Sequence, residues 1–107
     1  MITLGHIITA TAEVCAVTPD ILTSPARYRD VAHPRQLAFT AARHLTRKSL
    51  SQIGRAFERD HTTVLHGLLA VVDRGDTEEA ERLAEIEARA AELALGRKYT
   101  FKTTRKH

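Results

Sequence analysis

Asp60, His61, Thr62 and Thr63 stand side by side in the chain, and a second histidine follows at position 66. A carboxylate, an imidazole and two hydroxyls can exchange hydrogen bonds with base edges and phosphates. The same groups could instead ligate a metal or pass protons. His61 and His66 are five apart, however, whereas two ligands on one helical face need a spacing of four, and no cysteine or carboxylate cluster completes a site. No metal, cofactor or catalytic residue is therefore expected. The five glycines, Gly5, Gly54, Gly67, Gly75 and Gly96, nowhere form a glycine-rich loop ending in Gly-Lys-Ser/Thr, so nucleotide hydrolysis by that route is excluded.

The elements that would position these groups are legible around them. Ser49 and Gln52 have the spacing of a capping box, so a helix should begin there with Ile53 and Phe57 on its buried side. Asp60 can cap a second helix after a tight turn, with Val64, Leu65, Leu68 and Val72 as its apolar stripe. His61, Thr62, Thr63 and His66 then fall on its N-terminal end and outward face, where a helix-turn-helix protein touches DNA. Each also has a plainer reading. The Asp60 carboxylate can cap the helix, accept from a cytosine amino group, or do both. Thr63 can offer its methyl to thymine or its hydroxyl to phosphate, or be an ordinary first-turn residue. His66 reaches a phosphate or is simply a half-exposed helix histidine.

The rest of the chain reads as helical, so the expected fold is all-α. Residues Thr3 to about Val17 carry Leu4, Ile7, Ile8, Thr11, Ala12 and Cys15 at helical spacing. Thr18-Pro19-Asp20 reads as a cap with proline in a first turn. Thr23 to Asp30 reads as a loop, and Pro34 fits the first turn of a helix running to about Thr46 that buries Leu37, Ala38, Ala41 and Leu45. Gly75 closes the helix opened by Asp60. Asp76 with Glu79 then forms a second capping box for a long helix that ends near Gly96 and buries Leu83, Ile86, Ala90 and Leu93. The expected organisation is one helical domain over 1–96 and a basic tail over 97–107, where Arg97, Lys98, Lys102, Arg105 and Lys106 are interleaved with Tyr99 and Phe101.

The 107 residues, 43% of them apolar, suffice for one domain with a small core. A single cysteine, Cys15, forbids an intrachain disulfide and reads as a packing residue. The N-terminus lacks a signal-like pattern and no stretch is apolar enough to span a membrane, so a cytoplasmic, nucleoid-associated location is expected. Net charge is +3, but Asp76 to Leu95 holds seven acidic residues and two arginines, while Arg27 to Arg59 holds eight basic residues against Asp30 and Glu58. Cations flanking a reading helix suit phosphate neutralisation. Arg27 and Arg29 lie in the loop, from which an arginine can enter a narrow A/T-rich minor groove. Arg35, Arg43, Arg47 and Lys48 are candidates to hold the phosphate backbone, and the start of the helix opened by Ser49 can offer its amides to it.

Ser49 to His66, above all Arg59-Asp60-His61-Thr62-Thr63-Val64-Leu65-His66, closely resembles the signature of the C-terminal DNA-binding domain, domain IV, of the bacterial replication initiator DnaA. Val31-Ala32 and Pro34-Arg35-Gln36 extend the resemblance upstream, and it covers roughly Ile7 to Val72. It implies an all-helical domain that binds, as a monomer, a nine-base-pair A/T-rich box in double-stranded DNA. By that resemblance Asp60, His61 and Thr62 read major-groove bases with help from Thr63, and Arg27 enters the minor groove. Leu50 and Ser51 match positions whose backbone meets phosphate. Arg35, Gln36 and Arg43 match backbone-facing polar sites; Arg29, Arg47, Lys48, Arg59 and His66 complete the expected backbone contacts. One departure concerns the turn, where Glu58 stands in place of the family's usual pair of glycines. The other is the loop at Arg27, where Pro25 and Ala26 replace cations.

The starting Met1 and the basic tail favour a free-standing regulator carrying the reader without an ATPase domain over an excised initiator domain. It would control replication initiation or transcription. The alternative is a DNA-bound adaptor whose acidic helix, residues 76–95, recruits a protein such as RNA polymerase or a replication factor.

Overall fold

A computed structural model describes residues 1–25 and 29–96, with only the backbone at Arg29 and Asp30. Six helices follow in order: α1 (Leu4–Cys15), α2 (Pro19–Thr23), α3 (Arg29–Leu45), α4 (Leu50–Ala56), α5 (His61–Arg74) and α6 (Thr77–Ala94). No strand occurs among the described residues, and the fold is all-α. The residues expected as Arg27 and as the tail 97–107 lie outside the described ones.

Helices begin where a side chain takes up amides that the first turn leaves unpaired. The Thr3 hydroxyl accepts from the His6 amide while the Thr3 amide donates to the His6 ring, starting α1. Thr18 caps α2, whose first residue is Pro19, and Ser49 and Gln52 cap each other at α4. Gly75 closes α5 in the left-handed conformation, at φ 52°. These four boundaries follow the sequence pattern.

α3 is the central helix and touches all five others. Leu37, Ala38, Phe39, Ala41 and Ala42 are buried along it, so it is apolar around much of its circumference. It also starts earlier than its proline suggested. α3 begins at Arg29, so the expected loop is shorter and Pro34 lies inside the helix. A proline there forgoes one amide bond to the carbonyl four residues back. Burial of Val31 within the core holds the turn before it in helical form regardless.

α6 packs on α1 and α3, with Ile86 and Ala90 fully buried and Leu83 and Leu93 half-buried as its pattern required. Its start departs from a capping box. Asp76 Oδ1 accepts from the amides of Glu78 and Glu79, but the Glu79 side chain turns inward instead of returning to Asp76. It is 6% exposed, accepts from Arg74 Nε at 2.9 Å and lies 3.1 Å from His33 Nδ1. A buried carboxylate is tolerable only when paired in this way. Burial raises the pKa of the half-buried Cys15 thiol, which suits a packing residue.

Candidate nucleic-acid interface

α4 and α5 meet through a turn that the sequence makes unusually tight. The Arg59 amide donates to the Gly54 carbonyl at 2.8 Å, and a β-carbon added at Gly54 would collide with the Arg59 carbonyl oxygen. Only glycine lets the chain fold back this closely on α4. Glu58 takes a left-handed φ of 55°, the conformation that glycine adopts without strain. Arg59 Nη1 donates to the Phe57 carbonyl at 3.1 Å across the same turn. Beneath it, the Phe57 ring meets Phe39 of α3 edge to face, 5.0 Å between centroids.

α5 lies equally close to α3. A β-carbon on Gly67 would stand 2.7 Å from Phe39 Cδ2, so the absence of a side chain sets both the depth and the rotation of this helix. Its contact line runs through Val64 and Gly67, which are buried, and through half-buried Leu68 and Val71. Leu65 and Val72, expected in the stripe, are instead 38% and 75% exposed, and Leu69 between them is 52% exposed. The apolar pattern was compatible with either rotation, and Gly67 decides it.

That rotation leaves Asp60, His61, Thr62, Thr63 and His66 exposed, four of them consecutive at the head of α5. Asp60 occupies the N-cap position but makes no side-chain cap bond. Its carboxylate accepts from the Thr62 hydroxyl and lies 3.5 Å from His61 Nδ1. The Thr62 hydroxyl holds this carboxyl below its ordinary range, so Asp60 is an anion at neutral pH. With its O–H engaged in a hydrogen bond to Asp60, the Thr62 oxygen keeps lone pairs to offer outward. Asp60 and Thr62 together present acceptors.

Beside α5, the start of α4 offers a second set of polar groups. The hydroxyl and carbonyl of Ser49 accept from the amides of Gln52 and Ile53, so those of Leu50 and Ser51 stand outside the helix's own bonding. Arg43, Arg47 and Lys48 are exposed at the preceding corner, which is braced by Arg43 Nη1 donating to the Lys48 carbonyl at 3.2 Å. Two expected backbone contacts, Arg35 and Gln36, are turned into the fold. Arg35 is 6% exposed, and its guanidinium donates to the carbonyls of Leu22 at 2.8 Å and Ile21 at 3.0 Å. It ties the end of α2 to α3, and burial, then the nearby Arg59 charge, lower its pKa. Gln36 is half-buried under Gly67, its Cγ 3.3 Å from where a β-carbon would sit. Arg29 is helical, at the head of α3 rather than in a loop.

Gly54, Gly67 and Phe39 are the positioning residues that motif reasoning overlooked. A glycine within a helical pattern costs about 1 kcal/mol against alanine, and at Gly54 and Gly67 that cost marks a close approach. Among the described residues, no group of three or more His, Cys, Asp or Glu could hold a metal ion, and no helix is long and apolar enough to cross a membrane.

The family described as bacterial dnaA protein helix-turn-helix matches residues 4–71, which comprise α1 to α5 nearly to its end. The chromosomal replication initiator proteins DnaA of Francisella tularensis subsp. novicida and of Francisella philomiragia subsp. philomiragia are each 55% identical to the chain over 51 residues. That stretch is 47% of this chain and 10% of each relative. The chain thus matches about a tenth of the length of these relatives, and α6 lies beyond the family match.

Proposed function

We propose, from the premise that this chain belongs to the bacterial DnaA helix-turn-helix family, that it binds double-stranded DNA and distinguishes one sequence from another through the head of α5. The observation that carries this is the run of four consecutive polar residues, Asp60 to Thr63, exposed on a helix whose opposite side is fixed against α3. Rigid placement with outward polar groups is what base readout needs.

The chemistry of the run narrows what it reads. A negative Asp60 would be repelled by phosphate, so it is useful only where a base edge faces it. As acceptors, Asp60 and Thr62 suit exocyclic amino groups, cytosine N4 or adenine N6, in the major groove. His61 can donate or accept, and the Thr63 methyl suits the methyl of thymine. Arg43, Arg47, Lys48, the amides of Leu50 and Ser51, and His66 hold the backbone and set the register. Arg35, Gln36 and Arg59 are assigned to the scaffold, while Arg27 and Arg29 remain as minor-groove and backbone contacts beside it. The target is an A/T-rich box, bound by one copy of the chain, and its occupation bears on replication initiation.

The acidic helix α6 serves this reading by facing elsewhere. It packs on α1 and α3, and Glu79 and Glu92 are engaged in ion pairs with Arg74 and Arg89, while Glu87 is hydrogen-bonded to the His44 ring. Selection from random duplexes, sequenced after binding, tests the proposal. Enrichment of one short A/T-rich sequence is expected, and recovery of unrelated sequences would overturn it.

A further inference from the structure

Among the described residues, α5 carries an apolar stripe that the fold leaves uncovered. Leu65, Leu69 and Val72 follow one another by four and three residues, which on a helix of 3.6 residues per turn gathers them within about 60° of its circumference. All three are exposed, while Val64, Gly67, Leu68 and Val71 carry the helix against its own fold. The other exposed large hydrophobics among the described residues, Met1 and Leu95, lie far from them in the chain. Apolar side chains scattered singly over a surface need no explanation, but a stripe at helical spacing marks a contact with another surface.

The stripe matches itself. When a second copy lays its α5 antiparallel on the first, about a two-fold axis at Leu69, each Leu69 meets its counterpart, and Leu65 meets Val72 of the second copy to within about 1.5 Å along the axis. In such a pair each edge of the stripe faces the same edge of the second helix, with its direction reversed. His66 and Asp73, both exposed, share one edge, and the same register sets the imidazole of one copy beside the carboxylate of the other. Three side chains expose a few hundred Å² at most, against about 800 Å² per partner in a stable complex, so the pairing is weak and reversible.

We infer that this face of α5 pairs with the same face of a second copy of the chain, and that the pair is incompatible with DNA binding. Leu65 lies one turn behind His61, so pairing sets the reading head alongside the far end of the second α5, where Asp76 and Glu78 stand exposed. That acidic corner then fills the space a duplex needs. The incompatibility rests on the DNA-binding reading above; the pairing does not.

Sedimentation of the intact chain without DNA, from about 10 µM to about 1 mM, tests the pairing. The average mass should rise toward that of two copies, and a variant carrying Leu69→Gln and Val72→Gln should need at least about tenfold more protein to reach the same mass. Both positions are exposed and outside the reading head, so thermal unfolding of the variant should match that of the intact chain. Leu69→Cys tests the register. Mild oxidation should link two copies through position 69, whereas Glu81→Cys, exposed on α6, should not link. A chain that stays monomeric, a variant that associates like the intact chain, or equal linking at both positions would overturn the pairing. One equivalent of the selected duplex should return the intact chain to one copy per duplex, and the linked Leu69→Cys pair should bind that duplex at least about tenfold more weakly than the reduced protein. Equal binding by linked and reduced protein would overturn the incompatibility. Failure of the intact chain to prefer the box over scrambled DNA would overturn the DNA-binding reading, and the incompatibility with it, while sedimentation still decides the pairing.

Discussion

The side of the molecule built by α1, α3 and α6 and the edge built by α4 and α5 use the same residue types to opposite ends. On the first, the hydroxyls of Thr11, Thr40 and Thr46 donate to carbonyls one turn back, at 2.7, 2.9 and 2.7 Å. His33 and His44 pair with glutamates, and Arg35 donates to two carbonyls at the end of α2. On the second, Thr62, Thr63, His61, His66 and Arg47 stand exposed. Residue type alone does not mark a site. What marks it is polar capacity turned outward from a helix whose other face is fixed.

The largest break in this contrast should come from exchanging its two kinds of arginine. Arg35→Ala orphans two carbonyls at a buried position and should cost about 3 kcal/mol in urea unfolding. Arg47→Ala should change stability by less than about 0.5 kcal/mol, while weakening DNA binding and flattening its salt dependence. Similar destabilisation by both would erase the distinction. Next, Gly54→Ala forces a methyl group against the Arg59 carbonyl and should cost about 2 kcal/mol. Because it opens the turn, selective DNA binding should fall with it, in titrations below the unfolding temperature.

Smaller effects sharpen the picture of the edge. Glu58→Gly relieves a left-handed φ of 55° and should stabilise the chain by about 1 kcal/mol, read as a higher thermal midpoint. The Asp60 carboxyl titrates below its ordinary range, chiefly because of the Thr62 hydroxyl. The stability linked to this shift is present above the ordinary carboxylate range and is lost as pH falls through the depressed value. Thr62→Val should raise the Asp60 titration toward the ordinary value, followed by NMR of the carboxyl carbon. An unchanged titration would mean that the hydroxyl is not what holds the charge.

How much of this was legible in the residues differs between the two regions. Capping pairs such as Ser49 with Gln52 named the helix starts because they act between neighbours in sequence. The identity of the exposed run, Asp60 to Thr63, was equally local. Arg35 was not legible, because the carbonyls it serves lie thirteen and fourteen residues away, and an arginine near a basic motif reads as a phosphate ligand until its burial is known. The rotation of α5 was hidden for a related reason. Leu65, Leu69 and Val72 are as apolar as Val64, Leu68 and Val71, and only the fit of Gly67 against Phe39 chooses between the two stripes. Glu79 looked like half of a capping box because its partners, Arg74 and His33, are brought to it by tertiary packing.

On the proposed reading, the head of α5 supplies sequence preference while the cations around it supply general affinity. The ratio of affinities for the selected duplex and a scrambled one, measured at fixed salt for the intact chain and for His61→Ala, tests this most directly. The ratio should fall by about tenfold or more, the worth of about 1–3 kcal/mol of base discrimination, while affinity for scrambled DNA and thermal stability stay as they were. An unchanged ratio, or an equal loss on both duplexes, would contradict it.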